Sequence, residues 1–182
     1  MFLSLALTLG IGLASPQQPV ISEPCEAARE EEYLRALRNQ DLKSTEPEWF
    51  VHSIECLGKL ESIAAVNPLI ELLGFRRSFW WDGTGIVKIR LPTDRYPAGA
   101  ALARIGKPAL PSVIRAITAS DPASTEYEVL FYVLLTVFHY EREEGLSFIK
   151  KAGIAARTEE ETEHLLELAR RYAAHNKLEE DH

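Results

Sequence analysis

The sequence predicts an all-α protein, a short right-handed α-solenoid of about four helical hairpins, interrupted once by a β-hairpin or long loop. Three observations carry that expectation. Apolar residues recur at helical spacing through Pro97–Ile117. The same pattern occurs earlier in the chain, displaced by 44 to 45 residues. Between the two copies lies a segment, Phe75–Tyr96, that follows neither helical period nor repeat.

Taken from the amino terminus, Met1–Ala14 (MFLSLALTLGIGLA) has no charged side chain and is almost wholly apolar. It is shorter than the roughly 20 residues a membrane-spanning helix needs. Residues 1–14 therefore read as a signal peptide, with Gly12 and Ala14 as the small residues before a cut ahead of Ser15. An uncleaved anchor or a buried first helix is the competing use of the same residues. Residues 15–22 form a proline-containing, polar, extended leader, and 23–182 make one helical domain carrying the insertion 75–96.

Ser22 and Pro24 suit the opening of a first helix that runs to Asn39, with Ala27, Leu34 and Leu37 on its apolar stripe. Thr45 and Glu48 have capping-box spacing ahead of a second helix, Pro47 to Glu61. Its partner opens near Ala65 and carries Leu69, Ile70, Leu72 and Leu73. Beyond the insertion, Ala98, Ala101, Leu102 and Ile105 share one face, Gly106 stands at the helix stop, and Leu110, Val113, Ile114 and Ile117 form the next stripe. Thr125 and Glu128 have capping spacing for Tyr127–Tyr140, whose wide apolar face makes it the helix expected to be most buried, with His139 in a packing role. Gly145 then separates it from a short helix, Leu146–Ala152. Thr158 and Glu161 cap the last helix, Glu159 to Asn176, with Leu165, Leu166, Ala169 and Tyr172 inward. Eight helices result.

The segments CLGKLESIAAVNPLIELLG and ALARIGKPALPSVIRAI are the two copies. Ala65 and Val66 fall on Ala109 and Leu110, and Cys56 and Leu57 fall on Ala101 and Leu102. Together they resemble the short bacterial HEAT repeats of the group named after phycobilin lyases. The resemblance covers the two central hairpins only and implies a HEAT/ARM-like superhelix. It implies no lyase chemistry, since the matching positions are packing positions. Glu61 stands where the second copy has Gly106, which is a departure from the pattern.

The interruption FRRSFWWDGTGIVKIRLPTDRY holds the turn pair Asp82-Gly83 and an alternating apolar and basic run from Ile86 to Leu91. Two of the three tryptophans, Trp80 and Trp81, are adjacent in it. Its five bases, Arg76, Arg77, Lys88, Arg90 and Arg95, against Asp82 and Asp94 leave it at +3 in a chain of net charge −7. With Phe79, these arginines, this lysine and these tryptophans are the candidate binding residues, for a protein partner or an anionic ligand or glycan. The alternative is that the rings lie over the groove between hairpins and seal the core.

The overall negative charge argues against a nucleic-acid partner. Removal of residues 1–14 leaves no integral membrane segment in the mature chain. Cys25 and Cys56, the two cysteines, pair into a disulfide if the first two helices form a hairpin turning near Leu42. A metal site is the rival use of these side chains, because His52 and Cys56 are four residues apart on one helical face; no metal is expected. His139, His164, His175 and His182 share no ligand spacing, and there is no phosphate loop or nucleophile elbow. No catalytic residue and no cofactor is expected. The sequence thus points to a non-enzymatic binding module, secreted or periplasmic. An enzyme or small-ligand carrier, with its pocket between insertion and helices, is the alternative.

Overall fold

A computed structural model describes residues 24–76, 95–139 and 141–180, with no description of the side chains beyond His175. The expected signal peptide and leader, and Arg77, Phe79, Trp80, Trp81, Lys88 and Arg90 of the insertion, lie outside the described residues. Those residues are all-α and include no strand. Nine α-helices follow in order: α1 Glu30–Arg38, α2 Leu42–Thr45, α3 Pro47–Lys59, α4 Val66–Glu71, α5 Pro97–Ile105, α6 Leu110–Thr118, α7 Thr125–Val137, α8 Arg142–Ile154 and α9 Glu159–Glu180. None is long and apolar enough to cross a membrane.

Helices α1, α3, α5 and α7 pack in succession, while α4 packs on α5 and α6, and α6 on α7. The last pair, α8 and α9, packs on itself, with α9 also meeting α6. One hydrophobic core runs through these helices, from Tyr33 and Phe50 through Leu57, Leu102 and Phe131 to Tyr172. Helix α7 is buried on nearly every face, as its apolar breadth predicts; Val129, Leu130, Val133, Leu134 and Leu135 have no exposed surface.

The repeat in sequence is a repeat in local structure. A single 3₁₀ turn, Ile63–Ala65, leads into α4, and another, Lys107–Ala109, leads into α6. Both are displaced by 44 residues, turn for turn and helix start for helix start. Ala65 and Ala109 are fully buried at equivalent places, as are the pairs Leu69 with Val113 and Leu57 with Leu102. Glu61, despite its side chain, takes a positive φ of 52°, and Gly106 takes 75°. A positive φ at the helix stop is therefore kept in the copy that lacks glycine.

Several local expectations are corrected. The chain enters α1 through a 3₁₀ turn, Ala27–Arg29, which leaves Ala27 exposed, and Tyr33 joins Leu34 and Leu37 in the core. Thr45 does not cap α3. It ends the extra helix α2, its hydroxyl donating to the Asp41 carbonyl at 3.0 Å, and Glu46 occupies the N-cap without a side-chain bond. At α7 the cap is Ser124, whose Oγ accepts from the Tyr127 N–H at 3.1 Å, so Thr125 is already helical. At α9 the Thr158 hydroxyl does accept from the Glu161 N–H, and the Glu161 carboxylate reaches back to the Arg157 N–H. Gly145 lies inside α8, not before it, because Tyr172 crosses there so closely that a Cβ would stand 2.3 Å from the phenol oxygen. Leu166 is exposed and Leu168 takes the inward place.

Candidate functional site

The insertion that carries the sequence-derived site is bounded by α4 and α5. Its two ends are anchored. Phe75 stands edge-on to Phe50 with centroids 5.1 Å apart, and the Lys43 ammonium lies 5.8 Å from both rings. Tyr96, just before α5, is half-buried against the same core. Arg76 and Arg95 are exposed at these two stems. Of the named site residues, these two are the ones the structure places.

The helices that flank the insertion, α4 and α5, pack on each other, and α5 also meets α3 directly. At Gly58, on α3, a Cβ would fall 2.8 Å from the Ala101 Cα of α5. Such closeness is possible only because glycine has no side chain. The contacts of α5 with α3 and with α4 are thus made among the described residues, without residues 77–94.

A cleft of about 380 Å³ opens at the opposite end of α5. Its lining includes Glu61, Arg104, Gly106, Lys107, Thr136 and His139. It lies where three turns come together, after α3, α5 and α7, and each supplies a residue of positive φ: Glu61, Gly106 and His139. His139 is exposed here, with φ of 48°, so the expectation of a packed histidine is corrected: α7 stops at Val137, two residues before it. The Lys107 ammonium is 2.6 Å from the Glu144 carboxylate of α8. Cationic side chains at helix C-termini complement the partial negative charge of the free carbonyls. The cleft lies at the end of α5 away from the stems of the insertion.

The third cluster surrounds the cysteines. Cys25 and Cys56 form the expected disulfide, with Cα atoms 5.1 Å apart. His52 is 8% exposed and its Nε2 lies 3.3 Å from the Cys56 sulfur, one helical turn along α3. Tyr33 and Trp49 pack around the imidazole at centroid distances of 6.1 and 5.5 Å. The Arg29 guanidinium lies over both rings, and also binds Glu32 at 2.8 Å, which holds that carboxyl below the usual carboxylate range. Sequence spacing reveals His52 and Cys56 as neighbours, but the aromatic and cationic surround comes from α1 packing on α3, which no local pattern announces. Comparison of the chain with protein-family models, with curated proteins and with solved structures finds no match.

Proposed function

We propose that this chain is a non-enzymatic binding module of the cell envelope or exterior, a short HEAT-like solenoid that contacts its partner through the Arg/Trp-rich insertion. The observation that carries this reading is that α4 and α5, the two helices the insertion joins, already pack on each other. An excursion of this length is not needed to join two helices already in contact, and long connections in compact domains commonly serve binding. The displaced pair of 3₁₀-turn-and-helix units supports a repeat architecture, in which insertions gather on a contact face. The Cys25–Cys56 bridge supports an oxidising compartment. The +3 charge of the segment suits an anionic ligand, glycan or acidic protein surface.

A second reading, a small-ligand carrier or an enzyme, draws on the cleft lined by Arg104, Lys107 and His139. That cleft lies at the far end of α5 from the insertion stems, so the two readings are separable.

The test uses the full chain with Trp49→Phe, which leaves Trp80 and Trp81 as the only tryptophans. Under the proposal their emission is quenched by both iodide and acrylamide. It shifts on adding dextran sulfate but not neutral dextran, and the shift weakens as salt is raised. Blue, unquenched emission that ignores both polymers would mean the rings seal the core, and the proposal would fail.

A further inference from the structure

The disulfide region holds more than a disulfide requires. A bridge closing a 31-residue loop stabilises chiefly by restricting the unfolded chain, and needs no imidazole to do so. Yet His52 is buried with its Nε2 against a disulfide sulfur, a weak acceptor and a poor return for desolvating a polar ring. Three potential ligand atoms, the Cys25 and Cys56 sulfurs and one His52 nitrogen, lie within 4.8 Å of one another. His52 and Cys56 are fixed by a shared helix, and Cys25 arrives from the segment ahead of α1.

We propose that reduction of the Cys25–Cys56 bridge converts this cluster into a binding site for one thiophilic divalent ion of the zinc class, held by the two thiolates and His52 Nε2. A tetrahedral ion with bonds of about 2.3 Å to sulfur and about 2.0 Å to nitrogen places its sulfurs roughly 3.8 Å apart and each sulfur roughly 3.5 Å from the nitrogen. The present spread of 4.8 Å or less reaches those separations by side-chain rotation, once the sulfur–sulfur bond has opened. Sulfur and imidazole donors select zinc-like ions over magnesium or calcium. Cys25 is the half-buried member of the pair, and a water would complete the fourth position.

The steps balance. A phosphine and one water reduce the bridge to two thiols and leave the phosphine oxide. The ion then displaces both thiol protons, and the imidazole donates its lone pair as the neutral ring. Bridge and ion are therefore alternative clasps on the same loop, one for each redox state. This inference is independent of what the insertion binds.

The experiment takes the full chain, reduces it with a phosphine under argon, and titrates it with Co(II) and then Zn(II). The expected result is one Co(II) per chain, with the visible bands of a tetrahedral ion and a near-ultraviolet sulfur-to-cobalt band, all bleached by Zn(II). Oxidised protein gives neither band. His52→Gln keeps the sulfur band but weakens binding by at least about tenfold. Cys56→Ser halves the sulfur band. Far-ultraviolet circular dichroism runs alongside: a reduced chain that loses helix must regain it on adding Zn(II). Absence of tetrahedral bands, equal affinity in His52→Gln, or a reduced chain that unfolds and ignores Zn(II) overturns the proposal.

Discussion

Gly58→Ala tests whether α3 and α5 meet as closely as described. A Cβ at position 58 would stand 2.8 Å from the Ala101 Cα, 3.0 Å from its Cβ and 3.3 Å from its carbonyl oxygen. The nearest of these is backbone, so no rotamer change relieves it. The two helices must part by several tenths of an ångström along the seam that joins the two repeats, and Leu57 and Leu102 beside it are fully buried. Overpacking of this kind costs about 1–3 kcal/mol. Alanine in place of a helical glycine returns about 0.5–1 kcal/mol through the unfolded chain. The net expectation is a loss of about 1–2 kcal/mol, which for a domain of this size lowers Tm by about 3–6 °C.

Gly153→Ala is the control. The added Cβ there meets only the Leu165 Cβ at 4.0 Å, an ordinary contact, so the backbone gain acts alone and the variant is stabilised by up to about 1 kcal/mol. Urea unfolding followed by far-ultraviolet circular dichroism, with the disulfide intact, measures both. The slope of ΔG against urea should match the parent in each case. Equal stabilisation of the two variants would refute the close approach of α3 and α5. Ala101→Gly added to Gly58→Ala should restore part of the loss and not all, because the Ala101 Cα remains.

Glu61→Gly should stabilise the fold by about 0.5–1 kcal/mol, since the left-handed turn at φ of 52° strains any residue with a Cβ by about 1–2 kcal/mol; thermal unfolding reads the gain. Gly106→Ala should do the reverse, because φ of 75° with ψ of −143° is open to glycine almost alone. Ser124→Ala should cost about 1 kcal/mol by removing the α7 cap, while Thr125→Ala costs far less, and chemical denaturation separates the two. Burial pushes the Tyr127 phenol above its ordinary value of 10.0, with the nearby Arg171 guanidinium opposing. A raised phenol pKa means the folded chain keeps a proton that the unfolded chain releases. The stability it contributes is therefore present below pH 10 and lost as pH rises through the folded value, visible as alkaline unfolding that Tyr127→Phe delays.

What the sequence disclosed and what it withheld divide along the range of the interaction concerned. The two copies are legible because Leu57 and Leu102, or Ala65 and Ala109, belong to apolar stripes at helical spacing, so the spacing itself carries the information. The Cys25–Cys56 bridge was legible through the hairpin that two adjacent helices make. Caps were ambiguous where candidates crowd: Ser124 and Thr125 are adjacent, and the Thr45 hydroxyl is engaged by its own short helix. Gly145 looks like a boundary between helices in sequence because its structural reason, the Tyr172 ring, arrives from 27 residues further on. The cleft has the same origin. Glu61, Gly106 and His139 stand 45 and 33 residues apart, and only the stacking of α3, α5 and α7 brings their turns to one edge. No window of sequence holds that alignment. Of the binding residues named from the insertion, Arg76 and Arg95 stand exposed at its stems, at the end of α5 away from this cleft. A ligand at one end and a partner at the other would meet different faces of the same continuous row of helices. Variants at Arg104 or His139 and at Arg76 or Arg95 should then perturb different binding events without affecting each other.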